Sequence, residues 1–183
     1  MKNFLLGLII GLVAVPLIFA AYILSGHGPV AATDPPMPLE SFLAHGSLSA
    51  RLRKEAPKGD VSRFTTADLI SGANVYQKNC AFCHGLPDQP PTVAGRGMFP
   101  GAPQLFTADG MVTDDPAGVT YWKVENGIRL SGMPSFKSSL TDDQRWQVSA
   151  LLARADKLPP EVRSALQPAA WAPASSANPA QAK

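Results

Sequence analysis

The first hydrophobic pattern along the chain is unbroken. Residues 4–24, FLLGLIIGLVAVPLIFAAYIL, contain no charged side chain. As a helix rising about 1.5 Å per residue this stretch is about 31 Å long, the thickness of a bilayer's hydrocarbon core, and it predicts a membrane-spanning segment over residues 1–24. Lys2 is the one charge before it, and no Lys or Arg occurs again until Arg51. An excess of cations marks the cytoplasmic side, and here one lysine precedes the span while a long cation-free stretch lies beyond it. The predicted orientation is therefore N-terminus inside and the rest outside. Val30-Ala31-Ala32 offers a small-residue cleavage site, so a signal peptide is the alternative. The apolar run exceeds the ~7–15 residues usual in a signal peptide. Both readings export the remainder of the chain.

Residues 25–38 (SGHGPVAATDPPMP) have no period and read as a linker, which extends to residue 63. Within it, Leu39, Phe42, Leu43, Leu48 and Leu52 predict a short helix over 39–55. From 64 to 158 the period becomes helical in three places. Residues 66–79 place Leu69, Ala73, Tyr76 and Cys80 near one stripe. Residues 117–128 carry Val119 and Trp122, with Val124 or Ile128. Residues 142–155 carry Trp146, Ala150, Leu151 and Ala153. The third helix is announced by Thr141-Asp142-Asp143-Gln144, a capping box in which hydroxyl and amide reach back to each other's backbone N–H. Residues 85–116 are crowded with Pro and Gly, and no strand alternation is found. These features predict an all-α domain over 64–158. The Ala/Pro/Ser-rich residues 159–183 read as a flexible tail.

Composition changes this picture in two ways. Charged residues make up 16% of the chain, and its formal net charge is +2. The compact part is close to neutral, so it lacks the basic field that nucleic acid would require. Arg51, Arg53, Lys54, Lys58 and Arg63 form a local cationic excess, read as a solvated face beside the anchor; a membrane-surface or partner contact is the other reading. Second, a small α domain with a loop-rich middle is marginal on apolar burial alone and calls for a staple or a cofactor.

The chemistry that meets this need is in residues 80–85, CAFCHG, which hold both cysteines of the chain. An exported pair could form a disulfide, but a redox Cys-x-x-Cys comes after a strand, and none is predicted here. Zinc would need a fourth ligand, and His27 and His45 lie outside the compact domain. Covalent c-type haem attachment accounts for every position. Cys80 and Cys83 reach two vinyl groups on one porphyrin edge, and His84 turns its imidazole onto the iron. The second axial position has three candidates, Met98, Met111 and Met133. Met133 stands in Gly132-Met133-Pro134, where glycine frees and proline stiffens a loop that must hold one side chain in place. Met98, in Gly97-Met98-Phe99-Pro100, is second.

These motifs and the helices around them resemble the class I c-type cytochromes, above all the membrane-anchored or complex-associated bacterial monohaem type, in which a stretch like YWKVENGIRLSGMPSF is familiar. The resemblance covers about residues 65–158. It implies an all-α cytochrome c fold wrapped around one haem c, with Cys80 and Cys83 as attachment points and His84 and Met133 as iron ligands. It implies that the terminal helices of the domain cross at small and aromatic residues, for which Gly72, Tyr76, Trp146 and Leu151 are the candidates. It implies that the carbonyl of Pro103, in Ala102-Pro103-Gln104-Leu105, accepts the second imidazole N–H. Arg96 and the Trp122 indole are candidate partners for a haem propionate.

A six-coordinate iron leaves no position for substrate, so no catalytic residue and no enzyme activity of its own are expected. The expected function is one-electron transfer in the periplasm by a single-pass protein of the cytoplasmic membrane. Its partners would be a respiratory dehydrogenase, a quinol-cytochrome c reductase or a terminal oxidase. The alternative is the haem subunit of a larger oxidoreductase. A third reading is a gas sensor with a displaceable Met133.

Overall fold

In the computed structural model, residues 1–107 and 112–167 are described. They are helical with no strand among them. The chain divides into two compact units, residues 1–45 and 46–183.

In the first unit α1 (Lys2–Tyr22) runs through Pro16 and ends in a π-helical turn, Ile23–His27. Gly26, at φ +81°, takes the left-handed conformation that ends the helix. None of α1 is buried by protein, which suits a helix whose solvent is lipid. Beyond it the Asp34 carboxylate accepts the N–H groups of Val30 and Ala31, closing a turn in the linker. The expected helix is present as α2 (Glu40–Glu55), of which residues 46–55 belong to the second unit; Phe42 and Leu43 in it, and Leu39 just before it, are exposed.

The second unit holds α3 (Thr66–Asn79), α4 (Ala81–His84), α5 (Val93–Arg96), α6 (Ala117–Asn126), α7 (Asp142–Leu152) and α8 (Pro160–Ala165). Capping boxes start both α3 and α7. Thr65 pairs with Asp68 at α3, and Thr141 with Gln144 at α7. Each box satisfies two backbone donors that a helix end otherwise leaves open. α3 crosses α7 at Gly72. A Cβ there would overlap the Gln147 carbonyl and lie 2.7 Å from its carbon and 3.2 Å from Val148 N. Glycine therefore lets two backbones touch, and the core forms around that contact. Leu69, Ala73 and Tyr76 of α3 and Val148, Ala150 and Leu151 of α7 are all buried.

Four features differ from the expectation. Trp146 does not mark the α3–α7 crossing; it stacks on Tyr121 of α6 with ring centroids 4.4 Å apart. The buried line of α6 is Ala117, Tyr121 and Val124 rather than Val119 and Trp122. Trp122, the next residue after Tyr121, lies off that line and half-buried, and its indole N–H donates to Glu55 at 3.2 Å. The compact domain also starts before residue 64. Val61 and Phe64 pack on the core, the Pro57 carbonyl lies against Gly118, and Arg154 donates to the Val61 carbonyl at 2.8 Å. Finally, the domain continues past Leu158. α8 packs on α3, burying Val162 and Leu166, so residues 159–167 belong to the core; residues 168–183 lie outside the described part.

Candidate haem-binding site

α3 ends at Cys80, whose carbonyl accepts the N–H groups of Cys83 and His84 at 3.1 and 2.9 Å. That bonding makes α4 a single helical turn. The two cysteines, three residues apart, share one face with His84 next to them. The carbonyls leaving the turn have no helical continuation to bond to, and side chains from elsewhere satisfy them. Thr92 Oγ1 donates to Cys83 O at 2.9 Å, and the Tyr76 hydroxyl donates to Gly85 O at 2.8 Å. Gln104 Nε2 donates to Leu86 O and Gln89 O, each at 3.0 Å. The His84 ring is fixed in turn: its Nδ1–H donates to the Pro103 carbonyl at 2.8 Å. A ring protonated at Nδ1 carries its lone pair on Nε2. Burial holds the imidazole below its ordinary pKa, against the opposing pull of that carbonyl, so it is neutral at physiological pH.

The facing wall comes from the turn after α6. Gly127 (φ +68°) and Leu130 (φ +59°) reverse the chain, which then returns along the end of the helix. Ile128 N–H donates to Met133 O at 3.1 Å, Phe136 N–H to Val124 O at 3.0 Å, and Ser135 Oγ to Glu125 O at 2.5 Å. Further on, the buried Arg145 of α7 donates to the carbonyls of Lys137 and Leu140 at 3.2 and 2.7 Å. Its guanidinium also meets the Tyr121 hydroxyl and the Asp142 and Glu125 carboxylates, so its charge is compensated.

Between these walls is a cavity of ≈ 400 Å³. Cys80, Cys83, His84, Pro103 and Met133 all line it, with Leu105, Val112, Val124, Ile128, Phe136 and Leu152 as apolar surround. Met98 lines it too, while Met111 falls outside the described residues. The donor set is one imidazole, two thiols and two thioethers in an apolar pocket of ligand-binding size. Burial pushes the Cys80 thiol up to about 12 and raises Cys83 as well. Among the described residues no group of three or more His, Cys, Asp or Glu side chains is placed to hold a metal ion, so zinc lacks its ligands here, while two thiols beside one imidazole in an apolar cavity fit a haem held by thioether bonds.

Arg96 and Trp122 are not brought to the cavity. Arg96 donates to the Pro91 carbonyl at 2.6 Å, and the Trp122 indole is engaged by Glu55. The cation on the wall is Lys123, paired with Asp115 at 3.0 Å. Sequence reasoning also missed Thr92, Gln104 and the Tyr76 hydroxyl as supports of the haem-attachment turn. Gln104, directly after Pro103, carried the one local cue.

Comparison with known proteins agrees with this geometry. The family described as cytochrome c oxidase, cbb3-type, subunit III matches residues 67–152. Cytochrome c6 of Leptolyngbya boryana is 34% identical over 96 residues, which is 50% of this chain and 98% of that protein. Among solved structures, a chain of the Kuenenia stuttgartiensis reducing HAO-like protein complex aligns with a TM-score of 0.40 and 22% identity. The alignment covers 54% of this chain and 50% of that one, so the chain spans about half of that structure. A relative matched almost end to end and an attachment motif on an α-helical turn facing an apolar cavity lead to one assignment: the chain belongs to the class I c-type cytochromes.

Proposed function

We propose that this protein is a membrane-anchored one-electron carrier with its haem domain in the periplasm. Cys80 and Cys83 would hold one haem c, and His84 and Met133 would ligate its iron. When bound there, the haem supplies a reversible single-electron couple, raised in potential by thioether ligation. The residues of the chain do the rest. Pro103 orients the imidazole and increases its basicity, as outer partners of metal-bound histidines do. Apolar side chains such as Leu105, Val124, Ile128 and Phe136 would keep water from the haem, and the α6 turn fixes the backbone of Met133 through its N–H and carbonyl. Fixed ligands in a dry pocket keep the rearrangement between oxidation states small. α1, long and apolar enough to cross a bilayer, supports a single-pass anchor in the cytoplasmic membrane. Partners would then be respiratory donors and acceptors, such as a dehydrogenase, a quinol-cytochrome c reductase or a terminal oxidase.

The observation that carries this reading is the convergence of Cys80, Cys83, His84 and Met133 on one cavity while His84 Nδ1 bonds to Pro103. The test is the absorption spectrum of the purified protein, oxidised and reduced, with and without CO. A c-type spectrum unchanged by CO is expected. A prompt shift with CO would mean an open or labile sixth position and would favour gas sensing over electron transfer. A second reading, the haem subunit of a larger oxidoreductase, is favoured by the match to an oxidase subunit family. Mild detergent extraction separates the two: a carrier is recovered alone, a subunit with its catalytic partner.

A further inference from the structure

The cavity has two thioethers on its wall, and the function proposed above uses one. Met98 lines the cavity with Met133, and the two side chains start from neighbouring points. A Cβ built on Gly132 would overlap Met98 Sδ and lie 3.1 Å from its Cγ and 3.3 Å from its Cε. The Met98 side chain therefore rests on the backbone of the residue directly before Met133, whose Cα is about 3.8 Å further along the chain. The loop that carries Met98 belongs to the His84 side. Gly97 N–H donates to Val93 O at 3.0 Å, and Ala102 N–H donates to Gly95 O at 2.9 Å, just before Pro103. Met98 thus reaches from one wall of the cavity to the other. An unbranched methionine can span this gap, and glycine at 132 is what leaves room for its sulfur.

We infer that Met98 is a second, exchangeable ligand for the haem iron, able to take the sixth position when Met133 leaves it. This rests on the reading of Met133 as the resident ligand. With haem bound, the exchange would be a ligand substitution in which the Met98 thioether takes the place of the Met133 thioether, with neither proton nor electron transferred. Both ligands are neutral thioethers, so charge at the iron is unchanged. An unbranched side chain with three rotatable bonds can make such a move without moving backbone. A protein built this way keeps a six-coordinate iron while the Met133 loop opens.

The test uses the full-length holoprotein and the variants Met133→Leu, Met98→Leu and the double variant. Leucine conserves volume and removes the sulfur, so folding is preserved. Covalent haem content is measured for each. The readouts are the ferric methionine-to-iron charge-transfer absorption and the rate of CO binding to the ferrous protein. Met133→Leu should keep the charge-transfer absorption and bind CO slowly. The double variant should lose that absorption and bind CO at least about tenfold faster than Met133→Leu. If Met133→Leu already lacks the absorption and binds CO as fast as the double variant, the exchange is overturned while the Met133 assignment stands. If Met98→Leu loses the absorption and Met133→Leu keeps it, Met98 is the resident ligand, and both the Met133 assignment and the exchange fail.

Discussion

The tightest contact in the α3–α7 core gives a prediction that can be worked through with numbers. At Gly72 of α3 a Cβ would overlap the Gln147 carbonyl and sit 2.7 Å from its carbon. Ordinary contact begins at 3.4 Å, so Gly72→Ala must push α3 and α7 apart by most of an ångström. The obstacle is backbone, which no rotamer change can relieve. Separation loosens Leu69, Ala73 and Tyr76 against Val148 and Leu151, all of them buried in the core. Overpacking costs roughly 1–3 kcal/mol, and an obstacle made of helix backbone puts this one in the upper half of that range, about 2–3 kcal/mol. Against it, alanine gains about 0.8–1.0 kcal/mol over glycine in a helix interior. The net expectation is a loss of about 1–2 kcal/mol, or about 5–10 °C in Tm for a domain near 100 residues. Gly46 in α2 provides the control, since a Cβ there meets nothing within 4 Å. Gly46→Ala makes the same propensity change without the clash and should leave Tm unchanged or slightly higher. The assay is thermal unfolding of the holoprotein monitored by far-UV circular dichroism, with urea midpoints as a second measure. A Gly72→Ala protein that unfolds at or above the wild-type temperature would refute the reasoning, because propensity would then outweigh a crossing that is not tight.

Three other local contacts carry expectations of their own. Tyr76→Phe keeps the edge-on packing against Phe106 and removes only the hydroxyl, leaving the Gly85 carbonyl unpaired, so urea unfolding should show a loss of about 1–3 kcal/mol. A loss under about 0.5 kcal/mol would mean water replaces the hydroxyl. Leu166→Ala, beyond the end expected for the domain, should cost about 2–5 kcal/mol because that side chain is buried against the core; an unchanged urea midpoint would return residues 159–167 to the tail. The Asp68 carboxyl is held below its ordinary 3.8 by the Thr65 hydroxyl and then by the Thr65 N–H. A depressed folded pKa stabilises above the unfolded value and is lost as pH falls through the folded one. The Tm advantage of wild type over Asp68→Asn should therefore be steady near neutrality and shrink below about pH 3.8. A difference that stays constant down to about pH 3 would count against the capping box.

What could be read from the sequence depended on how local the cause was. α3 and α7 arise from apolar spacing, and Thr141 and Gln144 announce their cap within four residues. The Cys80-x-x-Cys83-His84 turn is local in the same sense, since one helical turn brings its chemistry together. α8 was missed because a short helix with Val162 and Leu166 as its anchors has no period to detect amid Pro and Ala. The segment before α3 was missed because two isolated apolar residues, Val61 and Phe64, make no period, and its other contacts are the Pro57 carbonyl against Gly118 and Gly59 against the Trp146 ring. Trp122 misled because indole size suggests burial, whereas its N–H prefers the Glu55 carboxylate. Arg96 misled for a similar reason: charge is visible in a sequence, but the side of a loop that faces the cavity is not. Lys123, on a helix whose buried line runs through Val124, was better placed than Arg96 to reach the wall.

The arrangement of supports explains how a loop-rich middle can hold a rigid site. A buried backbone carbonyl must find a donor, and residues 85–107 have little regular structure to provide one. Thr92, Tyr76 and Gln104 meet that demand, and each bond also fixes the position of the turn carrying His84. The His84 side is thus held by side chains that reach into its own loop and by the helix before it. The Met133 side is held differently, by the end of α6 and by Arg145 of α7, which binds the carbonyls of Lys137 and Leu140. The direct bonds that hold the two walls are separate, but both walls rest on the α3–α7 contact at Gly72, so a disturbance of α7 reaches the methionine wall through Arg145 and the histidine turn through α3. Each wall thus has its own set of direct hydrogen bonds above a shared α3–α7 core, and Met98 is the side chain that crosses between them.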